Sequence, residues 1–312
     1  MATKQCLTRG EAVKFVKEKL GLNTIEDATL DYHTLREIQR RLMSEVPFQN
    51  VSLMMMPPEK RFPTAEDVLT SGLSLLGGTC ERNNWFACLL LKALGFNIHN
   101  IAAIYCSERE LADMHMMCVV RGVADPDDPQ IADPLFLVDV ASGFPLPRPV
   151  PLHRLPVTFP ETAGLRVRFA WHEDMIHRLH YCKDPRPDEK HPSLDGWQVI
   201  MKFNTSPRDP ASLKDGMNVT FLADPPLDFL KSFRLFRWPH GKDWAVAFRD
   251  NELMFFGENF PAPTSNKDEN ERKCKILIED SELEAKIREY FPTLCPKQLK
   301  GAFNRTMELK GK

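Results

Sequence analysis

The sequence predicts an α+β protein, with helices concentrated in its first third and antiparallel strands filling most of the rest. Up to Gly95, apolar residues recur at helical spacing in segments closed by Gly or Pro. From Asn97 onward they gather instead into short β-branched and aromatic runs separated by turn-rich stretches. Near the end, Leu283, Ile287 and Tyr290 fall on one side of the segment Ser281 to Phe291, which returns the chain to helix.

The elements follow in order. Thr8 stands three residues before Glu11, a capping-box spacing, and Val13, Val16 and Leu20 continue the segment until Gly21 stops it. A second helix starts near Asp31 or Thr34, carries Leu35, Ile38 and Leu42 on one face, and ends at Pro47, whose ring clashes with a further turn. A third follows Cys80, where Trp85, Phe86, Leu89, Leu90 and Ala93 make an apolar stripe broad enough to bury most of the helix before Gly95. Strands are expected at Ile98 to Tyr105, Met116 to Val120 and Leu135 to Val140, with turns over Asp125 to Asp133. Prolines from Pro145 to Pro160, then Pro185, Pro187 and Pro192, favour loops and edge strands over helix. Trp197 to Phe203, Phe233 to Trp238 and Trp244 to Phe248 read as strands, and the polar stretch Pro261 to Lys275 reads as a solvated loop before a final helix.

Composition narrows the function. Of 312 residues, 43% are hydrophobic and 27% charged, proportions of a folded globular chain rather than a disordered one. The 41 basic and 43 acidic residues leave a net charge of −2, which gives no electrostatic reason to bind nucleic acid or an anionic membrane. The longest apolar run, Trp85 to Leu91, is far shorter than the about 20 residues of a spanning helix. Charges throughout Met1 to Leu20 leave no secretory signal, so a cytoplasmic protein with reduced thiols is expected.

Three residues stand out chemically. Gly77-Gly78-Thr79-Cys80 precedes the third helix, so a thiol sits at a helix start, where partial positive charge favours thiolate. A cysteine beside glycines is more often a small buried hydrophobe, so it needs a partner to be a nucleophile. His115 opens the apolar run Met114 to Val120 in a semi-buried setting, and Asp139 interrupts the strand from Leu135 to Val140. Either alone reads as a core polar residue with a satisfied hydrogen bond; two costly polar groups in strands also invite mutual pairing. A Cys–His–Asp arrangement explains all three, with His taking the thiol proton and Asp fixing its tautomer.

Gly77-Gly78-Thr79-Cys80, His115 and Leu137-Val138-Asp139-Val140, preceded by Pro47-Phe48-Gln49-Asn50-Val51, together resemble the arylamine N-acetyltransferase family in order and spacing, with gaps of 35 and 24 residues. The resemblance is clear over about 11–145 and partly restored at Ser232 to Phe248. It implies three parts in a cysteine-proteinase-like arrangement: a helical domain at 1–95 carrying the nucleophile, a β-barrel-like domain at 96–195 carrying His and Asp, and an α/β lid domain at 196–312. It also implies an acetyl-coenzyme A co-substrate with no tightly bound cofactor, and an arylamine or hydrazine acceptor. Catalysis would be ping-pong transfer through Cys80, His115 and Asp139, in a monomer without nucleic-acid, membrane or metal partners. Phe48, Met114 and Phe144 are the substrate-binding residues that the analogy suggests. The chain departs from the family in having Leu76 for an Arg, Gln49 for a Glu, and Arg82 for a Glu or Gln. Two other readings stay open: a Cys–His–Asp hydrolase or transglutaminase-like enzyme, and an inactive coenzyme A or aromatic-ligand binding protein.

His172, His177, His180, Cys182 and His191 form a second cluster within twenty residues. Without Cys-x-x-Cys or His-x-x-x-His spacing it reads as a surface or loop cluster rather than a zinc site. Met54, Met55 and Met56 read as adaptable core or a pocket wall.

Overall fold

The computed structural model describes residues 5–25, 29–107, 110–142, 146, 148–160, 166–181, 192–242, 244–257, 259–261 and 273–311. Its first part is helical. Thr8 closes its capping box with Glu11 at the start of α1 (Arg9–Glu18). Asp31 caps α2 (Tyr32–Glu45) by accepting from the Thr34 amide. After β1 (Phe48–Gln49) come α3 (Val51–Met55), α4 (Ala65–Leu73) and α5 (Cys80–Leu94). Gly95 ends α5 in the left-handed conformation, at φ 111°, that favours glycine.

The strands follow as β2 (Asn97–Cys106), β3 (Glu110–Arg121), β4 (Leu135–Val138), β5 (Val150–Pro151), β6 (Val157–Thr158), β7 (Arg166–His172), β8 (Met175–Tyr181), β9 (Ser193–Leu194) and β10 (Trp197–Phe203). They make one antiparallel sheet in the order β5-β4-β3-β2-β10-β8-β7-β6, with β9 beside β10. The remainder is α6 (Lys214–Phe221), α7 (Asp228–Lys231), β11 (Arg234–Arg237), β12 (Trp244–Arg249), β13 (Glu252–Gly257), β14 (Lys273–Leu277), α8 (Asp280–Tyr290) and α9 (Pro296–Leu309). A second antiparallel sheet runs β1-β11-β12-β13-β14. The two sheets interleave along the chain: β10 lies past the boundary expected at 195 yet sits between β2 and β8, and β1 lies before residue 95 yet pairs with β11.

Several expectations change. The stretch read as a solvated loop gives its last three residues, 273–275, to β14, where Cys274 is buried opposite Phe255; residues 262–272 lie outside the described residues. The helix at 280–290 is not the last, because Pro296, tolerated in a first turn, opens α9 and buries Leu299, Ala302 and Thr306. Asp139 stands just past the end of β4, not within a strand. Among the described residues no helix is long and apolar enough to cross a membrane.

Three cores result. One fills the space between α1, α2, α4, α5 and a face of β2–β4, with Phe15, Leu35, Phe86, Leu90 and Phe136. Another joins the five-stranded sheet to α6, α8 and α9 through Met217, Phe248, Phe255, Ile287 and Leu299. The third lies on the nine-stranded sheet around Ile101, Met117, Phe169 and Phe203. Cys80 and Trp85 pack against both of the first two, so the start of α5 sits where they meet.

Candidate active site

The Cys80 turn is fixed by backbone. The Gln49 amide donates to the Gly78 carbonyl at 2.9 Å, and the Gly78 amide to the Pro47 carbonyl at 3.3 Å, so the two motif segments run side by side. Gly77 is at φ +69°, and a Cβ there would lie 2.0 Å from the Pro47 carbonyl oxygen. Only glycine fits. Thr79 is the N-cap of α5, which leaves Cys80 in the first helical position, partly buried, with an amide that has no intrahelical acceptor.

His115 lies in the middle of β3 rather than at its start, and is fully buried rather than semi-buried. Its Nε2 lies 3.0 Å from Asp139 Oδ2, and its ring is in hydrogen-bonding contact with Cys80, which leaves Nδ1 as the atom facing the thiol. Burial disfavours the imidazolium, but the opposed charges of Asp139 and Cys80 and their hydrogen bonds outweigh it and push His115 up to about 10. Asp139 is buried yet held well below the usual carboxylate range: desolvation opposes its charge, and His115, Arg178 and Asn84 overcome the penalty. Each Asp139 oxygen has two partners. Oδ1 accepts from Asn84 Nδ2 at 3.0 Å and the Ala141 amide at 3.1 Å; Oδ2 faces His115 and accepts from Arg178 Nη1 at 3.1 Å. The sequence-derived trio is therefore brought together as a thiol, an imidazole and a carboxylate in line. Such a line can move a proton off sulfur and stabilise the cation that results.

Of the expected substrate residues, Phe48 is half-buried on β1 with its ring 6.4 Å from that of Phe229. The Met114 carbonyl is 3.9 Å from Cys80 Sγ, while its thioether accepts from Thr220 of α6 at 3.7 Å. Phe144 lies outside the described residues.

The departures from the family pattern have local accounts. Gln49 is buried, and its amide donates to Ser52 Oγ at 2.9 Å and the Gly77 carbonyl at 3.4 Å while accepting from the Ser52 amide at 3.0 Å. A neutral amide fits there, its partners among the described residues being a hydroxyl and backbone groups. Arg82, two residues along α5 and so on a different face from Cys80, packs its stem on Gly78 and sets Nη2 3.5 Å from Met56 sulfur. Met54 is core, and the exposed Met55 lies beside Gly301 of α9.

Three neighbours escaped the sequence reading. Asn84 also donates to the Met116 carbonyl at 2.7 Å and accepts from the Val140 amide at 2.8 Å, clamping β3 and the Asp139 turn to α5. Its position one helical turn past Cys80 was a usable signal. Glu81 is fully buried, accepts from Thr79 Oγ1, and has Oε2 3.8 Å from Cys80 Sγ; burial pushes its carboxyl up. Arg178 is buried on β8, where a charge among Ile176 and Leu179 carried the same signal that singled out Asp139. The histidine cluster is not a surface loop: His177 and His180 are buried on β8, His172 is exposed on β7, and Cys182 and His191 lie outside the described residues. No group of metal-binding side chains occurs among the described residues.

A family model described as N-acetyltransferase matches residues 31–292, most of the chain. Among solved structures, the arylamine N-acetyltransferase of Mycobacterium marinum is 17% identical, with a TM-score of 0.69 over 94% of this chain and 99% of that one. The enzyme from Salmonella typhimurium is 12% identical, with a TM-score of 0.66 over 94% and 98%. The M. marinum enzyme in complex with CoA aligns at 18% identity and a TM-score of 0.65 over 92% and 98%. No curated protein matches. At these identities the structures speak for the fold, and the family model, spanning the site from α2 to α8, supplies the assignment: the chain belongs to the arylamine N-acetyltransferase family.

Proposed function

We propose that this protein moves an acetyl group from acetyl-coenzyme A to an arylamine or hydrazine nitrogen by way of an acetyl-Cys80 intermediate. The observation that carries this reading is the hydrogen-bonded line Cys80–His115–Asp139 at the start of α5. Cys80 thiolate attacks the thioester carbonyl, a carbon–sulfur bond forms, and the bond to coenzyme A breaks. His115, holding the thiol proton, gives it to the departing sulfur. The amine then attacks the acetyl-enzyme, His115 takes the amine proton, and Cys80 leaves as thiolate. Asp139 keeps the imidazole oriented and supports its charge, and the Cys80 amide, with no acceptor in its own helix, is the donor for the developing oxyanion. The coenzyme A complex of the M. marinum neighbour supports the choice of donor. Phe48, Met114 and Phe144 are the residues this reading assigns to the acceptor side. Coenzyme A leaves in each turnover, so no tightly held cofactor is required.

The test is intact mass after mixing the protein with acetyl-coenzyme A alone. One acetyl group on Cys80, removed on adding an arylamine, is expected. An unchanged mass, or acetyl on another cysteine, overturns the proposal; turnover of a peptide or ester without thioester reaction makes the protein a hydrolase.

A further inference from the structure

Arg178 is among the largest fully buried side chains of the molecule. Its strand neighbours are apolar: Phe169 of β7 is its register partner, with the guanidinium 5.9 Å from the ring centroid, and Met201 of β10 flanks it on the other side. Nε donates to His180 Nε2 at 3.0 Å and Nη1 to Asp139 Oδ2 at 3.1 Å, while Nη2 has no partner among the described residues. Among the described residues, Asp139 is therefore the one carboxylate paired with this buried cation. It is also the one paired with His115, through the same oxygen.

We propose that Arg178 is a positioning residue of this site, acting through Asp139 to set how many protons the Cys80–His115 pair holds. The inference rests on the acyl-transfer reading only for its purpose. The argument is charge balance in a site too dry to tolerate a net charge. With Asp139 negative and Arg178 positive, the Cys80–His115 pair is favoured when neutral overall, either thiol with imidazole or thiolate with imidazolium. Both contain one proton, and the second is the nucleophilic form. Without the Arg178 charge, Asp139 is balanced best by imidazolium beside a protonated thiol, a two-proton state with no nucleophile. The other titratable groups facing the site are His180, which accepts from Arg178, Glu81 beside the sulfur, and Cys118, whose buried thiol is pushed well above its ordinary value. Among the described residues Glu81 and Cys118 make no hydrogen bond to Arg178 and keep their partners when it is replaced, whereas His180 loses its donor in Arg178→Met and keeps a cation beside it in Arg178→Lys.

The experiment follows Cys80 alkylation by iodoacetamide across pH, read by mass at that cysteine. It needs no coenzyme A, so it stands or falls separately from acetyl transfer: a wild-type protein that ignores acetyl-coenzyme A overturns the transfer reading and leaves this one standing. Arg178→Met is expected to move the alkylation midpoint up by about one pH unit, a tenfold loss of rate below it, as removal of a nearby cation does. Arg178→Lys is expected to hold it near wild type. A residue that only fills space would lower the unfolding midpoint and leave the alkylation midpoint in place, and that result for Arg178→Met overturns the proposal. If Arg178→Met does not fold, Arg178→Lys decides: an alkylation midpoint that rises as far as about one pH unit despite the retained charge overturns the proposal, and an unmoved midpoint supports it.

Discussion

His115 and Asp139 make opposite demands on pH. The folded protein holds His115 at about 10, above the about 6.5 of an unfolded chain, so its contribution is complete below about 6.5 and is lost as pH rises toward 10. Asp139 is held below its unfolded value near 3.9, so its contribution is present above that and lost as pH falls. The pair therefore stabilises most between about pH 4 and 6.5. Urea midpoints of wild type and His115→Gln should differ most near pH 5.5 and converge only as pH rises past about 10; a gap independent of pH would show that the ion pair contributes nothing. Asp139→Asn removes a charge that Arg178 also depends on, so activity should fall together with about 3–5 kcal/mol of stability, the cost of a buried cation left alone. Retained stability would mean that Arg178 finds another partner. Gln49 illustrates the reverse case. A Glu in its place loses both donated hydrogen bonds and sets a buried carboxylate against the Gly77 carbonyl, so Gln49→Glu should cost about 3–5 kcal/mol in a denaturant titration. Adding Leu76→Arg should recover much of that; strict additivity would mean that the two positions do not interact.

Among elements, α5 was the most legible and β8 the least, for a physical reason. The signals for α5 are local: a Gly-Gly turn, an apolar stripe and a closing Gly95 lie within one segment and need no knowledge of the rest of the fold. On β8 the buried polar residues His177, Arg178 and His180 break the apolar alternation, and what makes Arg178 tolerable is Asp139, 39 residues earlier. Periodicity cannot display a partner at that separation. The same holds for Asp139: its pairing was inferable from its cost, but its place in the turn after β4 depends on Asn84 of α5. The turn before α5 gives a direct test. Gly77→Ala requires φ +69° of a residue with a Cβ and drives that Cβ into Pro47 backbone, which cannot swing aside as a side chain could. Loss of at least about 1–3 kcal/mol, with Cys80 alkylation slowed by the displaced helix start, is expected. A variant with wild-type melting temperature and reactivity would show that the turn does not position the thiol.

At the scale of the molecule, the site depends on chain segments far apart in sequence. Asn50, next to the β1 strand, donates to the Phe229 carbonyl at 2.7 Å and the Ser232 carbonyl at 3.0 Å, and accepts from the Arg234 amide at 2.6 Å. β1 itself pairs Phe48 with Phe236 and Gln49 with Leu235, so the strand that braces the Cys80 turn is the edge of the five-stranded sheet. The motif Pro47 to Val51 was readable in the sequence as a family signature, but its link to the C-terminal sheet was not, because the side-chain partners of Asn50 begin 179 residues away. This connection makes a defined expectation. Asn50→Ala leaves two carbonyls and an amide, all in buried or half-buried positions, without their partner, at about 1–3 kcal/mol for each group that water does not reach. If β1 couples the C-terminal sheet to the site, hydrogen exchange should quicken together in α3, β11 and the first turn of α5, and Cys80 alkylation should change with them. Exchange that rises only at β11, with Cys80 reactivity untouched, would mean that the five-stranded sheet can loosen without reaching the thiol.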